Sequence, residues 1–263
     1  LKASRAVLEC GTFAESARRI FDACREATGA VSGYVALLSE DGEENEVLFL
    51  EAGGLPCNVN PSLPMPVRGL RGEAYGKCRV VYENDFMNGE WASFMPHGHV
   101  EMRNVMFAPL TISGKVVGVI GLANKPGDFT ADDARIAQAL GDIAAIALSQ
   151  ARAEEALRKS EEKYRGLVAA LPQAVYESDT NGSIQYVNQV AFEMFGFDHT
   201  DFSPGKYNVL QMIAPEDRER AQANVKNMLS TGKSPSAEYM ALRKDGSKFP
   251  VLTYSTRIIH EGI

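Results

Sequence analysis

No apolar run in the 263-residue chain approaches the roughly 20 residues that a membrane-spanning helix needs. The N-terminus, Leu1-Lys2-Ala3-Ser4-Arg5, has no secretory leader pattern and no initiator methionine. Nor is there a Lys/Arg cluster. The 27 basic residues are outnumbered by 34 acidic ones, a net charge of −7, which argues against a nucleic-acid-binding face. Cysteine is scarce and unpatterned: Cys10, Cys24, Cys57 and Cys78 contain no C-x-x-C. They make neither a zinc site nor a disulfide framework and read as reduced thiols serving as small apolar residues. Catalytic signatures are missing too, with no phosphate loop and its lysine, no H-E-x-x-H, no G-x-S-x-G and no kinase set. These absences leave no membrane span within the fragment, argue against a nucleic-acid partner and direct the reading to a cytoplasmic fragment that is not itself an enzyme.

What is present is enough for two cores. An apolar fraction of 45% is ordinary for globular protein, and the length suits two domains. Residues 12–28 open with a Thr cap and a Glu three positions on, with Phe13, Ala17, Ile20, Phe21 and Cys24 on one face and Gly29 as the stop. Hairpins are predicted over 35–51, around the turn 40–43, and over 104–123, around Ser113-Gly114-Lys115. A Pro/Gly-rich loop covers 53–66. Residues 68–77 read as a short helix before a strand at 79–82.

From Thr130 to about Leu171 the pattern is helical, with Asp132 and Asp133 where the helix dipole favours negative charge. Ile136, Leu140, Ile143 and Ala147 approximate a 3.5 repeat, and Leu157 and Tyr164 carry the stripe through a charged stretch. About 40 residues at 1.5 Å each would reach roughly 60 Å, more than one domain needs. The stripe reads as a helix pairing with its copy in a dimer; a single surface helix bridging two domains is the other reading.

Beyond it, strands at 174–179 and 184–187 flank Thr180-Asn181-Gly182-Ser183, where an Asn-Gly pair predicts two central positions with positive φ. Asn188 caps a helix that Gly196 stops. A helix runs from Pro215 to about Ser230, and a last hairpin covers 236–254 over Lys244-Asp245-Gly246. The chain ends inside a strand-like run, 249–259, and reads as a piece of a longer protein. Strands with interposed helices give an α+β layer with an antiparallel sheet.

Several of these segments carry a family likeness. The Asn-Gly hairpin, Tyr186-Val-Asn188, Phe195-Gly-Phe, Ile213-Ala-Pro-Glu-Asp217 and Arg243-Lys-Asp-Gly-Ser-Lys-Phe-Pro250 resemble a PAS domain over about 165–259. Helix 12–28, Phe107-Ala-Pro-Leu, Val117-Gly-Val-Ile-Gly-Leu-Ala-Asn-Lys and Phe129-Thr-Ala-Asp-Asp resemble a GAF domain. Residues 64–75 are similar to GAF domains of microbial sensor kinases. The resemblance implies a GAF-like domain over 1–150, a helical linker over 151–168 and a PAS-like domain over 169–263. Each would be an antiparallel sheet with flanking helices. It implies a sensory fragment that binds a small ligand or senses redox state and relays the change to an output domain, a histidine kinase by family habit. A ligand-free dimerisation module is the alternative.

Candidate ligand contacts follow. Arg68 and Arg71, three apart, would share a helical face suited to an anion. Trp91, Phe94 and Phe107 would add apolar wall in the first half; Tyr176, Tyr186, Asn188 and Phe192 would line a cavity in the second. Some GAF sensors bind haem, so Cys57, Cys78, His97 and His99 are candidate ligands. The PAS half has no cysteine for a flavin adduct and no histidine on its later helix for haem. Asn124-Lys125, Phe129 and Asp132-Asp133 partly match the cyclic-nucleotide GAF pattern, but Lys125 also reads as a partner for Asp128 or Asp132 at a helix start.

Overall fold

The computed structural model describes residues 12–54, 58–60, 63–232 and 236–258. They divide between Leu157 and Arg158 into two compact units.

In the first unit, helix α1 (Phe13–Thr28) begins where the Thr12 hydroxyl accepts from the Glu15 N–H, and it ends on Gly29. Strands β1 (Ser32–Leu38) and β2 (Asn45–Glu51) form the first hairpin, and helix α2 (Gly69–Lys77) leads to the short strand β3 (Val81–Glu83). Strands β4 (Val105–Ile112) and β5 (Lys115–Ala123) form the second hairpin. The five strands make one antiparallel sheet in the order β2-β1-β5-β4-β3.

The runs in β4 and β5 are continuously apolar because both faces of the sheet are covered. Met106, Ala108 and Leu110 face a core with Ile20, Phe21, Cys24, Leu140 and Ala144. Their neighbours Val105 and Phe107 turn to a second core with Leu70, Ala74 and Phe86. Phe21 and Ile20 are fully buried, each stabilising the unit by about 1.5–3 kcal/mol.

Helix α3 (Ala131–Ala170) runs unbroken for 40 residues. Its start is fixed twice over: the Thr130 hydroxyl accepts from the Asp133 N–H at 3.2 Å, and the Asp133 carboxylate accepts from the Thr130 N–H at 2.8 Å. The expected single stripe divides into two faces. Leu140 and Ala147 are buried with Ala137, Ala144 and Leu148, whereas Ile136 is exposed and Ile143 half-buried.

Gly141 shows how close helix and sheet come, since a Cβ there would stand 2.7 Å from the Pro109 carbonyl oxygen. Alanine would gain about 1 kcal/mol of helix propensity but force α3 away from β4. Gly141→Ala is therefore expected to destabilise the first unit by a net 1–2 kcal/mol or so, read as a lowered thermal midpoint. A higher midpoint would show that the sheet yields.

In the second unit, β6 (Tyr176–Ser178) and β7 (Ile184–Val187) form one hairpin. Helices α4 (Gln189–Phe195) and α5 (Arg218–Thr231) follow, each ending on a glycine. Strands β8 (Ala237–Leu242) and β9 (Lys248–Thr253) close the order. The described strands form two separate two-stranded antiparallel ladders. Isolated bridges Ser183 to Asn208 and Ile213 to Ala241 tie the intervening segments to them. Ile184, Ala191, Phe192, Ala214, Tyr239 and Ala241 are buried.

The β6–β7 turn differs from expectation. Of Asn181 and Gly182 only the glycine has positive φ, at 82°. The turn closes one residue earlier, where the Gly182 N–H donates to the Asp179 carbonyl at 3.0 Å. The Asp179 carboxylate accepts from the N–H groups of Asn181 and Ser183, both at 2.9 Å. That aspartate fixes the turn ahead of the Asn-Gly pair.

Candidate functional site

A group of interlocked polar residues lies at the margin of the second core of the first unit, where side chains of α2 meet those of β1 and β2. Arg71 Nη1 donates to the Tyr34 hydroxyl at 3.0 Å and Nη2 to the Pro66 carbonyl at 2.5 Å. Its Nε is buried and meets no acceptor. Four residues on, one helical turn away, the Tyr75 hydroxyl donates to Asn45 Oδ1 at 2.6 Å, and Asn45 Nδ2 donates to the Met65 carbonyl at 3.1 Å. Segment 65–67 is laced across the β1–β2 turn by the Asn45 N–H to Met65 and the Val67 N–H to Glu43, both 2.8 Å. Tyr34 and Tyr75 both pack against the apolar cluster around Phe107, with Trp91 and Met102 also on it. Burial pushes the pKa of both hydroxyls up, against the opposing influence of Arg71, so both stay neutral at physiological pH.

Arg68 does not join Arg71. It occupies the N-cap of α2 with extended backbone (φ −150°) and lies outside the helical spacing, its guanidinium 5.9 Å from the centre of the exposed Phe94 ring. Trp91 and Phe94 lie ring to ring at 6.3 Å. Phe107 is buried in the core itself, its ring 6.3 Å from that of Tyr34. Tyr34, Tyr75 and Asn45 were not expected. The i, i+4 spacing of Arg71 and Tyr75 was a signal for Tyr75; no local pattern marked Tyr34 or Asn45.

The candidate haem ligands are dispersed. Cys78 is exposed at the end of α2, and His97 is exposed. His99 is half-buried with Nδ1 2.9 Å from the carbonyl of Val100. Cys57 lies outside the described residues. Among the described residues no three His, Cys, Asp or Glu side chains gather as metal ligands. Cys24 is buried, its thiol pushed up to about 12 by that burial, so it stays protonated.

The segment resembling a nucleotide motif is a structural knot. Asn104, fully buried, donates from Nδ2 to the carbonyls of Lys125 (3.1 Å) and Gly127 (2.6 Å) and accepts from the Lys125 N–H (2.9 Å). Asn84 closes the other side, bonded in both directions to the backbone of Phe129. The partner of Lys125 is Asp133, at 2.5 Å, not the expected Asp128 or Asp132.

Burial raises the Asp133 pKa, but the bonds from Lys125 and Thr130 outweigh it and hold the carboxylate below its usual range. The stability it contributes is thus fully present above about pH 4 and lost as pH falls through the lowered value. Lys125→Met removes the main opposing bond. It is expected to cost about 1.5–3 kcal/mol at pH 7 and to move acid unfolding of the first unit to higher pH. Circular dichroism across a pH series checks this; an unchanged acid midpoint would show the pair to be inert.

In the second unit the four candidates do not converge. Asn188, 3% exposed, gives its whole side chain to the backbone. Phe192 is core, its ring 4.3 Å from His199 and 5.8 Å from Phe202. Tyr176 is exposed and Tyr186 half-buried on opposite strands of the hairpin.

Comparison with known proteins adds the family. The model of the GAF domain matches residues 11–149, and that of the PAS fold matches 184–261. Among solved structures, the GAF domain of a phosphoenolpyruvate-protein phosphotransferase from Coxiella burnetii is 15% identical. It covers 59% of this chain and 92% of its own, with a TM-score of 0.51, which supports the fold of the first unit. The corresponding domain from Acinetobacter is 16% identical, covering 57% and 90% at 0.48. The free methionine-R-sulfoxide reductase of Neisseria meningitidis is 19% identical, covering 58% and 87% at 0.49. No curated protein matches the chain.

Proposed function

The chain belongs to the GAF domain family, with a PAS fold behind it, and from that membership we propose that it is the sensory segment of a dimeric signalling protein. The GAF half takes a small ligand. Helix α3, which contains the boundary between the two units, carries the change toward an output domain of histidine-kinase type. The segment itself catalyses nothing and works in the cytoplasm. Among the described residues no helix is long and apolar enough to cross a membrane.

One observation carries this reading. Ile136, Ala139, Ile143, Ile146, Gln150, Ala153, Leu157, Ser160, Tyr164, Leu167 and Leu171 follow one another at alternating steps of three and four, the spacing of a coiled-coil seam. Ile146, Leu157 and Leu167 are each more than 60% exposed. Large exposed apolar groups in heptad register, continuing through the charged second half of the helix, fit a second copy of the same helix. Two packings of such a pair, biased by a ligand through about 1–3 kcal/mol of coupling, suffice to transmit a state.

The burial of Phe107 and Phe192 favours a second reading, a dimerisation module with no ligand. Light scattering tests what both share: a dimer is expected, and a monomer at micromolar concentration would remove the relay. Ligand response separates the two.

A further inference from the structure

We propose that the GAF half recognises a small organic anion whose carboxylate sits against Arg71, with its apolar body on the cluster around Phe107. The proposal rests on the sensory reading above and specifies its ligand.

Charge is the first argument. Arg71 is half-buried, cationic by its chemistry and makes no ion pair among the described residues. Its two partners, a tyrosine hydroxyl and a backbone carbonyl, are neutral. Tyr75, close by, bonds to the neutral Asn45. A guanidinium drawn partly out of water without a counter-ion carries a desolvation cost that two neutral acceptors offset only in part.

Unused donors are the second argument. A guanidinium has five N–H groups in a rigid fork, and two are engaged here. Nε, which forms one tine of the side-on fork that grips a carboxylate, is buried with no acceptor. The Tyr34 hydroxyl accepts from Arg71, which leaves its own proton free for a second oxygen of the same anion. The surroundings set the rest of the ligand. Leu70, Phe107, Val119, Trp91 and Met102 form or flank the adjoining cluster, so an apolar body would be favoured over a sugar or a polyanion.

Trp91 is the chain's single tryptophan and packs on that cluster, so its fluorescence reports on occupancy. The test titrates the whole chain with benzoate, its neutral isostere benzamide, acetate and inorganic phosphate, following Trp91 emission and the thermal midpoint. Saturable binding of benzoate at least about tenfold tighter than benzamide, lost in Arg71→Met and partly kept in Arg71→Lys, is the expected result. Circular dichroism of Arg71→Met confirms that it is folded; should it not fold, Tyr34→Phe, which removes the hydroxyl and its bond from Arg71 but keeps the ring, should weaken benzoate more than benzamide.

Equal binding of benzoate and benzamide would overturn the anion and leave the ligand-binding reading standing. Phosphate binding more tightly than either carboxylate would overturn the organic body. No response to any probe tighter than about 1 mM would overturn the proposal and favour the ligand-free module.

Discussion

Asn188→Ala is expected to cost the second unit about 3 kcal/mol or more, enough to leave it largely unfolded if that unit is marginal. The side chain makes four bonds and is 3% exposed. Oδ1 accepts from the Ala191 N–H at 3.1 Å and the Val175 N–H at 2.9 Å. Nδ2 donates to the carbonyls of Gln173 at 2.9 Å and Val168 at 3.3 Å. One residue thus caps α4, fixes the approach to β6 and satisfies a carbonyl in the last turn of α3. Loss of an N-cap alone costs about 1 kcal/mol, and each buried group left unpaired costs about 1–3 kcal/mol. No water reaches these groups readily, so the costs accumulate. Thr12→Ala is the contrast: that cap is exposed and makes one bond of 3.4 Å, so its loss belongs at the low end. Urea unfolding followed on each unit separately, the first for Thr12→Ala and the second for Asn188→Ala, measures the difference. A loss below about 1 kcal/mol would mean that the vacated site rehydrates without strain.

Asn188 also shows how far the sequence can be read. Its capping role follows from Asn before a helix, and the Gly stops at 29, 196 and 232 follow from the same local chemistry. Both hairpins of the first sheet and the 40-residue helix were legible for a similar reason, since turn chemistry and periodicity act over a few residues. Its other bonds, to Gln173 and Val168, depend on partners 15 and 20 residues away, and no local pattern announces them.

The same limit applies around Arg71. A spacing of three suggested that Arg68 shared its face, but Arg68 precedes the first helical residue and the spacing rule does not reach it. Tyr34 arrives from a strand 37 residues earlier, brought there by sheet order alone. In the long helix, periodicity identified an apolar stripe without dividing it into the face the sheet covers and the face it leaves open. Only the position of β4 and β5 makes that division.

The uncovered face sets the second large effect. Leu157→Glu with Tyr164→Glu is expected to convert a dimer to monomer at micromolar concentration while the GAF sheet stays folded. Each large apolar side chain buried is worth about 1.5–3 kcal/mol, and a two-fold axis counts every substitution twice. Four lost side chains at the lower figure amount to about 6 kcal/mol, or roughly 10⁴-fold in affinity. Neither residue touches the first unit's cores, so far-UV circular dichroism should not change.

Tyr164 needs its own control, because its hydroxyl also bonds to Glu177 at 3.1 Å. Tyr164→Phe keeps the ring in the seam and removes that bond. If pairing is what matters, Tyr164→Phe remains dimeric and Tyr164→Glu does not. Ser160 supplies the converse. It is a polar residue at a seam position, so Ser160→Leu should tighten the dimer. A helix that merely bridges two domains as a lone surface element would respond to none of these in light scattering. A dimer that survives the double glutamate substitution would place its interface elsewhere and leave the exposed stripe without a partner.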